Sequence, residues 1–165
     1  MTSLSSEPHM THVTHASKTT PPRALRPLAI TTFFLLLAQF LIGMLVNFYV
    51  TIPDSHPGAN PSNYFVGVLQ GNEWALFMQD MLSLRLHVAL GVLLGIAALA
   101  LVWLAAVARQ RAWIIASVVG LLGVLGAGFN GASFMNYGFD VSSLLMSIFF
   151  VIAVCAYAIG LYVTR

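Results

Sequence analysis

Two residue types stand out in the apolar stretches of this chain: a histidine, and amides placed beside glycines. His87 is followed at four-residue spacing by Gly91 and Gly95. On a helix that spacing stacks an imidazole directly above a strip of bare backbone. A flat ligand can lie on such a strip, with the imidazole ligating a metal or hydrogen-bonding the ring. The same spacing also serves a glycine seam against a neighbouring helix, with His87 as a hydrogen-bonded polar residue and Leu94 turned to lipid. Arg85, two residues earlier, can snorkel to headgroups, pair with Asp80 or Asp140, or meet an anionic group such as a propionate or phosphate. His56, beside Pro57, can act as a second ligand or as a loop hydrogen bond.

Gln39, Gly43 and Asn47 repeat the four-residue spacing, which predicts one face turned into a helix bundle, with glycine allowing close approach and the amides bonding across helices. Gly120, Gly123, Gly126, Gly128 and Gly131 leave one side of a later helix nearly featureless, as tight packing requires. Ser133, Met135, Asn136 and Tyr137, followed by Ser142, Ser143 and Ser147, return toward the same rim and predict a polar pocket there. His9, His12 and His15 have a metal-tract spacing but lie in a segment with no predicted fold to hold a coordination geometry. The chain has no Ser-His-Asp spacing, phosphate loop or metalloprotease motif.

The elements that must carry these residues follow from composition. Of 165 residues 59% are hydrophobic and 7% charged, against about a quarter charged in soluble domains, so the partner of this surface is a lipid bilayer. The net charge of +2 comes from basic residues that flank apolar spans, which argues topology rather than nucleic acid. The lone Cys155 has no disulfide partner in the chain. Residues 1–27, rich in Ser, Thr, Pro and His, read as a disordered tail, and residues 28–165 as a single membrane domain. Spans are predicted at about 28–50, 86–108, 112–130 and 141–163, with an outer loop over 51–85. The helix of the second span is free to begin as early as Asn72 or Glu73, and Asp140 is expected as an N-cap of the fourth.

Lys18, Arg23 and Arg26, then Arg109 and Arg111, then Arg165 fall on one side of an even number of spans. The positive-inside rule makes that side cytoplasmic. Asp54, Glu73, Asp80 and Asp140 fall on the other, where function is sought first. The expected fold class is therefore all-α, a four-transmembrane-helix, up-down-up-down bundle with both termini cytoplasmic, in a bacterial-type inner or plasma membrane.

Gln39, Gly43, Leu45 and Val46 in the first span, a proline-containing loop, and Leu86-His87-Val88-Ala89 opening the second together resemble one four-helix half of the haem A synthase family, and more loosely the membrane b-type cytochromes. The resemblance implies a haem b with His87 as an iron ligand. The fourth span has no histidine and the loop no cysteine pair, so the far side of that haem would need Met146, Met135, His56 or a second subunit. The functional expectation is a haem- or quinone-binding, redox-associated protein with an outer-leaflet pocket built on His87, Gly91, Gly95, Arg85, His56 and Met146. The alternative is an accessory subunit of a larger membrane complex, its glycines packed against other membrane subunits.

Overall fold

The computed structural model describes residues 24–78 and 80–163. The histidines at 9, 12 and 15 and the basic residues at 18, 23 and 165 lie outside them. Five helices follow in order: α1 (Leu25–Tyr49), α2 (Tyr64–Phe77), α3 (Leu82–Ala108), α4 (Arg111–Tyr137) and α5 (Asp140–Val163). All but α2 are long and apolar enough to cross a membrane.

Helix ends follow local chemistry. Pro27 sits in the first turn of α1, where a missing N–H costs no intrahelical bond, so the helix begins inside the expected tail. At the other end Val50 is already extended, ahead of Pro53. The Asn63 side chain caps α2 by accepting from the Val66 N–H at 3.2 Å. Arg109, left-handed at φ 52°, turns the chain from α3 into α4 within two residues. Gly138, left-handed at φ 68°, closes α4, and its N–H donates to the Phe134 carbonyl at 2.8 Å.

Several expected boundaries are corrected. The helix of the second span does not reach back to Asn72. Met78 and Met81 leave the helical region, and α2 departs from the axis of α3. The cause is its docking onto the end of α4: the Tyr64 hydroxyl donates to the Phe129 carbonyl at 2.9 Å, and Gly71 lies against Met135 and Asn136. The third span runs on to Tyr137, so residues 131–137 are helix rather than loop. Asp140 stands in the first turn of α5 rather than before it.

Packing joins α1 to α3, α3 to α4, α4 to α5 and α5 back to α1, with α2 resting on α3 and α4. The pairs run antiparallel: Gly43 near the end of α1 meets His87 at the start of α3, Gly131 meets Met146, and Gly160 meets Ala116. Leu25, Leu36, Leu94, Leu101, Ala105, Trp113 and Tyr157 form the main core. A second cluster, Ala75, Leu84 and Met135, binds α2 to the bundle.

The outer surface stays apolar, with Phe34, Phe48 and Trp103 each more than 60% exposed. Hydroxyls buried in the bundle bond back to their own helix, Thr32 to the Leu28 carbonyl (2.8 Å) and Ser117 to the Trp113 carbonyl (2.6 Å). These two hydroxyls are thereby satisfied without water, as hydrocarbon requires.

Glycine makes the α4/α5 seam possible, as the featureless side of the third span predicts. A Cβ on Gly123 would lie 2.7 Å from the Ala153 nitrogen and 2.8 Å from the Phe149 oxygen, both backbone atoms that cannot yield. Gly120 and Gly126 are covered by the rings of Tyr157 and Phe149. At Gly128 there is open space. Gly123→Ala should therefore cost about 1–3 kcal/mol by overpacking, read as lost thermal stability in detergent, while Gly128→Ala leaves the melting temperature unchanged.

Candidate functional site

The residues singled out by sequence do not form one cluster. The structure distributes them over three places, and the seam between α1 and α3 holds the most chemistry.

On that seam the Gln39 side chain crosses from α1 to α3. Its amide nitrogen stands 3.1 Å from the His87 carbonyl oxygen and 3.2 Å from His87 Nε2. A group facing a carbonyl must donate, so the same NH₂ donates to both acceptors. Nε2 is then the bare nitrogen and the ring proton resides on Nδ1. The imidazole edge rests on Gly43, where a Cβ would stand 2.9 Å from Cε1. The expected close approach is thus made by Gly43 of α1. Asn47, one turn further, is exposed and takes no part.

Two atoms of this pair are buried without a partner, His87 Nδ1 and Gln39 Oε1. One is a donor and the other an acceptor. A buried unpaired polar atom costs roughly 1–3 kcal/mol, and the chain carries both at one crossing point.

Below His87 the glycine strip stays bare. A Cβ on Gly91 would meet only the Gln39 amide nitrogen at 3.5 Å, an ordinary contact, and one on Gly95 would meet nothing within 4 Å. No neighbouring helix packs tightly on Gly95. Conversely Leu94, expected toward lipid if Gly95 formed a seam, is 2% exposed and belongs to the core. The helix is rotated so that α1 and the centre of the bundle claim Leu94 and Leu101, leaving Gly95 at the margin.

Toward the α2 end of the α1/α3 seam lies a groove of about 670 Å³, with Ile42, Leu45 and Tyr49 from α1 and the following Val50 on one wall and Met81, Leu82 and Leu86 on the other; Gln39 and His87 are not among its lining residues. Thr51, Asp80 and Ser83 supply its polar lining. Ile42 and Leu86 are the chain neighbours of Gly43 and His87. Tyr49 is 80% exposed and Leu82 54%, so the walls face the surroundings of the bundle.

The remaining candidates are committed elsewhere. Met146 packs its sulfur against Gly131 on the α4/α5 seam, where a Cβ would stand 3.1 Å from it. His56 stacks on Trp74, ring centroids 4.4 Å apart, and approaches the Met135 carbonyl at 3.2 Å. Arg85, half-buried in the first turn of α3, makes no ion pair among the described residues. Those residues also contain no cluster of three metal-ligating side chains.

The geometry does not fit a haem at His87. Iron needs a bare imidazole nitrogen, and the one available already accepts from Gln39 while its ring lies on Gly43. Neither Met146 nor His56 is held on the α1/α3 seam.

Compared with protein-family models, with curated proteins and with solved structures, the chain matches none.

Sequence reading anticipated Gln39 and His87 singly but not their pairing, since the offset between α1 and α3 is set by the intervening α2. It placed Asn136 in a polar rim pocket but gave no sign of how deeply that side chain is buried, 3% exposed with both amide atoms unpartnered, and it missed the groove, whose residues carry no spacing signal. The rotation of α3 has a direct consequence for stability. Leu94→Ala should cost about 2–5 kcal/mol, whereas Gly95→Ala should change stability by less than about 0.5 kcal/mol, both read by thermal unfolding in detergent.

Proposed function

We propose that this chain is a multi-pass membrane protein that binds a quinone-type ligand at the α1/α3 seam, with the ring near Gln39 and His87 and an apolar tail along the groove. The single observation that supports this reading most is the unpartnered buried pair, His87 Nδ1 and Gln39 Oε1. A quinone oxygen accepts from the Nδ1–H, and the hydroxyl of the reduced form both accepts and donates, so it can also serve Oε1. The groove further along the same seam has the apolar walls that a lipid-borne tail needs, and Gly91 and Gly95 add bare backbone for a planar ring.

The bilayer orientation belongs to the same proposal. Arg26 opens α1, and Arg109 and Arg111 join α3 to α4, at one end of the antiparallel bundle. Asp54, Glu73, Asp80 and Asp140 belong to the other. The positive-inside rule supports an up-down-up-down bundle with the arginine end cytoplasmic and the α2 end, with the groove, in the outer leaflet. A periplasmic-type reporter should be active when fused at Ser62 and silent at Gln110; the reverse pattern contradicts the orientation.

Binding is tested by titrating the purified protein in detergent with a short-tailed benzoquinone and its quinol. Saturable binding is expected. Gln39→Leu and His87→Leu should each weaken it by roughly tenfold, the weight of one hydrogen bond to a buried group. Absence of saturable binding, or a Kd unmoved by either substitution, contradicts the reading. A haem absorption band lost in His87→Ala would favour a haem in its place.

A further inference from the structure

The two unpaired atoms at the α1/α3 crossing differ in kind. His87 Nδ1 carries the ring proton, because the bare Nε2 already accepts from the Gln39 amide at 3.2 Å. It is a donor without an acceptor. Gln39 Oε1 is the carbonyl end of its amide, because the other end is the NH₂ that faces the His87 carbonyl oxygen at 3.1 Å. It is an acceptor without a donor. Each assignment holds the other in place. Turning the amide over would set Oε1 against the His87 carbonyl, two acceptors in opposition, and moving the ring proton to Nε2 would set it against the Gln39 NH₂, two donors.

Glycine borders both groups. On α1 a Cβ at Gly43 would stand 3.4 Å from His87 Nδ1, and on α3 a Cβ at Gly91 would stand 3.5 Å from the Gln39 amide nitrogen. At both positions the seam has bare backbone beside the pair.

The two oxidation states of a quinone meet this arrangement differently. A quinone oxygen only accepts: it serves the Nδ1–H and sets a second acceptor against Oε1. A hydroquinone hydroxyl accepts from the Nδ1–H through a lone pair and donates its own proton to Oε1, so one group serves both atoms. In hydrocarbon no water makes up the difference, and an acceptor left facing an acceptor keeps its full desolvation cost.

We propose that the α1/α3 site is selective for the reduced, hydroquinone form of its ligand, with His87 holding either form and Gln39 Oε1 choosing between them. The inference rests on the quinone reading of this site and names the redox state that occupies it. Because the reduced form binds more tightly, the bound ligand is easier to reduce than the free one. A tenfold preference raises its two-electron midpoint potential by about 30 mV. A site with that bias takes up quinol from a mixed pool and releases the oxidised form.

The test compares a short-tailed benzoquinone with its quinol, kept reduced under anaerobic conditions, on the purified protein in detergent. The wild type should bind the quinol roughly tenfold more tightly, the weight of one hydrogen bond to a buried group. In Gln39→Leu the two dissociation constants should converge, the quinol losing more than the quinone. Gln39→Met, an unbranched side chain of similar length without an amide, should behave alike and keeps the test open if the leucine variant does not fold. In His87→Leu both constants should rise together with their ratio kept, since the backbone carbonyl at position 87 still holds the Gln39 NH₂. Saturable binding of both forms with equal wild-type affinities overturns the selectivity and leaves the site standing, as does a preference that survives unchanged in either Gln39 variant. Absence of saturable binding of both forms removes the site and the selectivity with it.

Discussion

A polar group inside these apolar helices has no water to turn to, and that constraint organises the rest of the structure. Most of the side chains concerned meet it locally. Thr32, Ser117, Asn130 and Ser147 bond back to carbonyls one turn earlier, so their helices can face lipid or one another without further partners. At the crossing of Gln39 and His87 an amide reaches across to another helix and two atoms remain unserved, and the Asn136 amide and the Tyr157 hydroxyl are buried without a partner as well. A natural core tolerates few such groups, because each costs free energy that packing must offset. The proposed ligand site rests on the Gln39 and His87 pair and on the groove further along the same seam.

Close packing follows from the same scarcity of alternatives. Lipid chains are as apolar as leucine, so helix association depends on contact rather than on escape from water. The α4/α5 seam achieves contact through Gly120, Gly123 and Gly126, and α1 approaches α3 through Gly43. Gly91 and Gly95 do not serve that purpose, which leaves part of α3 uncovered next to the polar pair. The short helix α2 adds a second layer at one end, docked by Tyr64 on α4 and by His56 and Trp74 on each other.

Much of this was legible in the residues. The four long apolar helices follow from hydropathy, and the antiparallel pairing of α3 with α4 from a connector too short to reach elsewhere. The identity of Gln39, Gly43 and His87 as notable polar and small residues also follows from type and spacing. Rotation about a helix axis was not legible for α3, because Leu94 and Gly95 both fit an apolar pattern and only packing decides which enters the core. The break between α2 and α3 was equally silent, since no proline or glycine marks residues 78–81; docking of Tyr64 and Gly71 onto α4 bends the path there. Long-range pairings such as His56 with the Met135 carbonyl, 79 residues apart, have no local signature at all.

The account holds that Gln39 and His87 carry a stability cost tolerated for binding, and their joint removal tests it most directly. In a Gln39→Leu, His87→Leu double variant both unpaired atoms disappear together with their bond, and apolar side chains of similar size take their place. Thermal unfolding of the ligand-free protein in detergent should then show a melting temperature equal to or above that of the wild type, since replacing both partners by apolar groups is close to neutral or stabilising, and added benzoquinone should no longer raise it. A double variant that melts well below the wild type, yet is still stabilised by the quinone to the same extent, would contradict the account and reduce the pair to a structural bond between α1 and α3.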